Sequence, residues 1–184
     1  MLAAVGVSDP AKAWDACAIA FADTAERGAT GWRPHAEWGA FGPLVSLRCG
    51  WQLAALTPLP LDDRYGLACG VSLFNHGLYH ECHDALEPLW IEATEPLKAA
   101  LQGLILMTAG YHHLQLQNAK GMRAVWEDSL QRLDPFMGRV ETPWGAVAFA
   151  EAARLTRARL AWLKDEPDWS QLWHLDRPLW TLEA

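Results

Sequence analysis

From Ala99 to Tyr111 the chain runs thirteen residues, AALQGLILMTAGY, without a charged side chain. A helix that is apolar around its whole circumference is stable only when other elements enclose it. Thirteen residues are too few to cross a bilayer, which takes roughly 20, and no apolar run elsewhere in the sequence reaches that length. The segment therefore reads as the hub of a helical bundle. Gly103 and Gly110, seven apart, share one side of this helix, where a neighbour can approach closely.

Helix start and stop signals surround the hub. Asp62 is placed to cap a helix running to about Phe74, and Asn75-His76-Gly77 forms a turn in which glycine supplies the positive φ. A second helix is expected from Leu78 to Glu92. Thr94-Glu95-Pro96 opens the hub helix, which reaches about Leu116. Asn118 caps a helix over 119–133 that Asp134-Pro135 ends, and Thr142-Pro143 opens another reaching Lys164, with Arg157, Arg159 and Lys164 near its negative end. Asp168 and Gln171 resemble a capping box for a short final helix. Near the N-terminus, Asp9-Pro10 starts a helix with an apolar stripe at Trp14, Cys17, Ala18 and Phe21, and Gly28 stops it. Residues 28–60 are rich in glycine, proline and tryptophan and read as an irregular wrap with a short helix near 44–55. Strand signals are nearly absent.

The expected fold class is accordingly all-α: a compact multi-helix bundle of antiparallel hairpins around the central apolar helix, with an irregular N-terminal segment. Three stretches make it up: 1–61, a core over 62–135, and 136–184 packed on the same domain. At 184 residues the chain can bury roughly 70% of its surface without metals or disulfides as staples.

A net charge of −7, with lysines and arginines scattered among carboxylates, argues against nucleic acid, which selects a basic face. The same charge is repelled by anionic lipid, so no membrane partner is expected. The first residues lack the basic start of a signal peptide. Four cysteines (Cys17, Cys49, Cys69, Cys82) lie far apart with no CxxC among them, which fits reduced thiols in a cytoplasmic protein.

Candidate chemistry lies in the second helix. At 100° per residue, Leu78, Cys82, Ala85, Leu86 and Leu89 cover one side, and His80, Glu81, His83, Asp84 and Glu87 the other, with Tyr79 and Trp90 at the border. His83 and Glu87 are four apart and can meet. On the hub helix Gln102, Leu106, Ala109 and His113 form one stripe. If that stripe faces the second helix, His113 joins His83 and Glu87 as ligands for a divalent transition metal such as zinc. Glu81 or Asp84 would then serve as general base or support the ligands. The plainer reading is a solvated helix face, with His112 and His113 satisfying carbonyls at the hub's end. HExxH, GxSxG, Walker A and GxGxxG are all absent from the sequence, which leaves open whether the cluster is catalytic. Cys82 reads as a core thiol.

Two blocks, FNHGLYHECHDALEPLW at 74–90 and LQGLILMTAGYHHLQLQNAKGM at 101–122, resemble the signature of the prokaryotic family called domain of unknown function 309. Phe74, Asn75, Gly77, Tyr79, Glu81, His83, Asp84, Leu86, Glu87 and Trp90 fill the first block. Leu101, Gly103, Leu104, Ile105, His112, His113, Asn118 and Gly121 fill the second. Leu106 stands where the family has glutamine, and Pro88 is unexpected inside a helix. The resemblance covers roughly 62–135. It implies a helical bundle and a polar cluster of Glu81, His83, Asp84, Glu87, His112 and His113, with Tyr79, Trp90 and Asn118 at its edge, and it implies no activity.

Two functions fit. One is a metal-binding or hydrolytic protein whose His/Glu cluster is sheltered beside the hub. The other is a non-catalytic module for a protein partner or self-association, in which the cluster is a buried hydrogen-bond network and the tryptophan-rich ends form the interface. Of the eleven tryptophans, Trp169, Trp173 and Trp180 crowd the last sixteen residues; rings of that area are expected to dock back onto their own bundle.

Overall fold

The computed structural model describes residues 25–28, 31–34, 50–59, 62, 64–163, 167–169 and 176–183. The chain divides into two compact units, Met1–Leu61 and Asp62–Ala184. In the first, strand β1 (Ala25–Gly28) pairs antiparallel with β2 (Gly31–Pro34), Gly28 opposite Gly31, and residues 50–56 are helical. The expected helix ending at Gly28 is corrected at its end: residues 25–28 are a strand. Gly28 and Gly31 punctuate a hairpin, where glycine is as favoured as at a helix stop. The apolar stripe at 14–21 lies outside the described residues.

The second unit is mostly helical. Helices α1 (Tyr65–Asn75), α2 (Tyr79–Glu92), α3 (Leu97–Gln115) and α4 (Ala119–Leu133) follow one another closely and pack in sequence order. They alternate in direction. A Cβ on Gly70 of α1 would lie 2.5 Å from Leu86 of α2, and one on Gly66 would lie 3.3 Å from Leu89. Gln115, at the end of α3, donates to the Gly77 carbonyl just before α2 (2.7 Å), while Lys98 at the start of α3 sits over the ring of Trp90 near the end of α2. Gly77 has φ +74°, as its turn requires. Asn118 caps α4, its side-chain oxygen accepting from the Gly121 amide at 2.9 Å.

The hub is enclosed as expected. Ten residues of α3, from Ala100 to Leu114, are buried; Gln102, Leu106, Ala109 and the two histidines keep partial exposure. Gly103 and Gly110 receive α4. Ser129 donates to the Gly103 carbonyl (2.7 Å), Trp126 donates to the Met107 carbonyl (3.2 Å), and a Cβ on Gly110 would fall 2.1 Å from the Trp126 indole nitrogen.

The all-α expectation needs correction beyond Leu133. Strands β3 (Arg139–Thr142), β4 (Gly145–Ala148) and β5 (Thr181–Glu183) form an antiparallel sheet in that order, and helix α5 is shorter than expected, Ala150–Trp162. Thr142-Pro143 turns a hairpin instead of starting a helix. The Thr142 hydroxyl accepts from the Trp144 amide (3.0 Å) and donates to the Gly145 carbonyl (2.7 Å), with Gly145 at φ +118°. A proline that suits the first turn of a helix equally suits a tight turn. The expected helix after Asp168 falls on residues 170–175, outside the described set. Among the described residues no helix is long and apolar enough to cross a membrane.

Candidate functional site

Helix α2 divides its residues between two environments. Tyr79, Cys82 and Leu86 are buried, and the Cys82 thiol donates to the Gly70 carbonyl at 3.1 Å, so this sulfur is core and burial pushes its pKa well up. His80, His83, Asp84 and Glu87 form the opposite stripe at spacings of three, one and three. Asp84 is its centre. One carboxylate oxygen lies 3.2 Å from Nδ1 of His83 and the other 3.2 Å from Nδ1 of His80. Ligand atoms of His83, Asp84 and Glu87 all lie within 4.8 Å of one another. The stripe is open to solvent, with side-chain exposure of 39% for His83 and 58% for Asp84. The hub is sheltered, but the cluster beside it is not. Pro88 follows at an exposed position, where the hydrogen bond it forgoes can be replaced by water.

His113 does not belong to the converging group. It lies against α4, its ring nitrogen 3.2 Å from Nδ2 of Asn118 and 2.8 Å from where a Gly121 Cβ would be. The α3 residue that approaches α2 is its neighbour His112, whose ring meets His80 edge-on at a centroid distance of 5.4 Å. One residue is 100° of helix. Tyr111, His112 and Gln115 reach toward α2 and the turn before it, and His113 turns toward the glycine-containing start of α4. Glu81, half-buried in the first turn of α2, is likewise outside the converging group. His80 lies on the same polar arc, and its spacing of four from Asp84 is the same signal that pairs His83 with Glu87.

Other residues of the block serve a buried network at the same end of α2 and α3, on their inner side. Tyr79 packs on Phe74 and Tyr111. The Tyr111 hydroxyl is 2.8 Å from that of Thr156 and receives Nη1 of Arg159 at 3.3 Å. Burial, with a smaller push from Tyr79, raises the Tyr111 phenol to about 12 against the opposing pull of Arg159 and Thr156. Arg159, only 2% exposed, also donates to the Asp176 carbonyl at 2.6 Å. Asn75 clamps the C-terminal segment, donating to the Trp180 carbonyl (2.8 Å) and accepting from the Trp180 amide (2.9 Å). Thus Asn75 and Tyr79 are explained by packing, Trp90 by the Lys98 ammonium 4.9 Å above its ring, and Asn118 by its cap. Trp180 docks internally, as expected of a tail ring.

This arrangement is carried on one short stretch of chain. Residues 67–125 match the family model described as Domain of unknown function (DUF309). No curated protein and no solved structure matches the chain. The matched segment contains all of α2 and α3, and so the whole His80–Glu87 stripe and both hub histidines. Thr156, Arg159 and Trp180 lie outside it and complete its aromatic end from elsewhere in the sequence.

The donor set defines the available chemistry. One imidazole and two carboxylates within reach of one point suit zinc, manganese or iron(II), and solvent access leaves positions open for water. Exposure also lets these side chains close from within 4.8 Å of one another to the roughly 3.3 Å separation of ligands on one ion with bonds near 2.1 Å.

Proposed function

We propose that the protein binds a divalent transition metal on the exposed face of α2 through His83, Asp84 and Glu87. The observation that carries this reading is the convergence of their ligand atoms within 4.8 Å on a face that the core does not use. Asp84 replaces His113 in the expected ligand set. Three protein ligands leave room for a bound water, whose acidity a divalent ion raises toward neutral pH, so hydrolysis is the reaction class that such a centre supports. Glu81, three residues before Asp84 on α2, is the carboxylate assigned as general base.

The test is metal analysis of full-length protein purified without a chelator or a His tag, followed by titration of the chelator-treated protein with zinc, manganese and iron(II). Stoichiometric binding, a rise in melting temperature, and at least a tenfold loss of affinity in His83→Ala and Glu87→Ala are expected. Absence of binding by all three metals would refute the proposal.

A further inference from the structure

Four residues of the first signature block, Phe74, Asn75, Gly77 and Tyr79, take no part in the converging ligand group. They sit at the corner between α1 and α2, and all four meet the stretch from Arg177 to Trp180 that leads into β5. Asn75 holds main chain: its amide nitrogen donates to the Trp180 carbonyl (2.8 Å) and its oxygen accepts from the Trp180 amide (2.9 Å). A neighbouring strand makes the same pair of bonds, and they suit any side chain at that position. Phe74 holds the side chain, its ring stacked on that of Trp180 at 3.9 Å with planes within 3°. The Trp180 indole nitrogen is buried with no hydrogen-bond partner among the described residues, so the ring is gripped by packing and not through its polar atom. Three residues earlier, the Arg177 guanidinium lies against the Tyr79 hydroxyl and crosses the bare face of Gly77, where a Cβ would fall 2.9 Å from Nη2. Main chain, aromatic ring and guanidinium are each met by a separate group.

We infer that the Phe74–Tyr79 corner is a peptide-recognition site for a non-helical segment bearing an arginine and, three residues on, an aromatic side chain, and that residues 177–180 are its ligand, bound in cis. All four recognition residues lie within the family segment 67–125, whereas the ligand lies beyond it. The site shares no residue with the metal ligands of α2. A ligand on the same chain faces its site at an effective concentration on the order of millimolar, so a free peptide of the same sequence competes poorly until the resident one is weakened.

The probe is the labelled peptide DRPLWTLEA, residues 176–184, added to the full chain and followed by fluorescence anisotropy. Trp180→Ala opens the site and is expected to bind the peptide at least about tenfold more tightly than wild type, whose site is filled. The bound peptide also raises the melting temperature of the variant. A peptide carrying Trp180→Ala is expected to lose at least about tenfold, as is the parent peptide on a chain carrying both Asn75→Ala and Trp180→Ala. A peptide carrying Trp180→Phe stays within about threefold, because the indole nitrogen makes no bond in the site. Trp180→Leu, which keeps more apolar bulk, takes the place of Trp180→Ala if circular dichroism shows the alanine variant unfolded. A folded variant that ignores the peptide, or that binds the Trp180→Ala peptide as tightly as the parent, overturns the inference and leaves these contacts as internal packing.

Discussion

The rings of Phe74 and Trp180, 106 positions apart in sequence, stack with centroids 3.9 Å apart and planes within 3°. The Asn75 amide holds the Trp180 backbone beside them through two hydrogen bonds. This clamp holds the C-terminal segment to the bundle together with the three-residue strand β5 and the Arg159 bond to the Asp176 carbonyl. Trp180→Ala is expected to cost about 3–5 kcal/mol in urea unfolding followed by circular dichroism. Trp162→Ala, at a half-exposed position, should cost less than about 1 kcal/mol. Equal losses would show that the segment is not anchored at this ring.

Gly110 tests the enclosure of the hub. Any side chain there enters space held by the Trp126 indole, and that ring is itself tied to the Met107 carbonyl. Gly110→Ala should destabilise by about 2–3 kcal/mol, despite alanine's better helix propensity. Gly50→Ala meets nothing within 4 Å and should leave melting unchanged or slightly raised. An unchanged melting point for Gly110→Ala would contradict the packing of α4 on α3.

Asn118 separates cap from site. Removing its side-chain acceptor in Asn118→Ala should cost about 1 kcal/mol of stability. Zinc affinity should stay within about twofold of wild type, because the residue caps α4 and its ring partner His113 lies outside the converging ligands. A tenfold fall in affinity would return both residues to the site.

Tyr111 predicts the alkaline limit of the fold. An unfolded phenol loses its proton near pH 10, whereas the buried one holds it to about 12. Between these values the unfolded state binds fewer protons than the folded one, so stability is intact below pH 10 and falls as pH rises through 12. This residue should account for about 2 kcal/mol of that fall. The difference between wild type and Tyr111→Phe in unfolding at pH 9, 10.5 and 12 measures it. Parallel curves would mean that the phenol is not held neutral.

The parts legible in the sequence are those set by local chemistry. The uncharged run announced an enclosed hub, Gly77 its turn, and Asn118 its cap. Periodicity also placed His83, Asp84 and Glu87 together on one face of α2. Periodicity gives faces without saying which neighbour each will meet, and α3 packs against both α2 and α4. The glycines at 103 and 110 draw α4 to one side, which sets Tyr111 and His112 toward α2 and turns His113 away. Helix signals likewise misread 139–148. A four-residue strand carries too little alternation to announce itself, and β5 joins the sheet only through pairing with β4 across more than 30 residues. The exposure of the His83 cluster was hidden for a related reason: a polar arc beside a buried helix looks the same from the sequence whether water reaches it or not.

The most direct measurement is anomalous diffraction across the zinc absorption edge from crystals of the full chain grown with zinc. The account predicts an anomalous peak about 2.0–2.2 Å from ligand atoms of His83, Asp84 and Glu87. Ordered side chains at all three positions with no peak between them would contradict it.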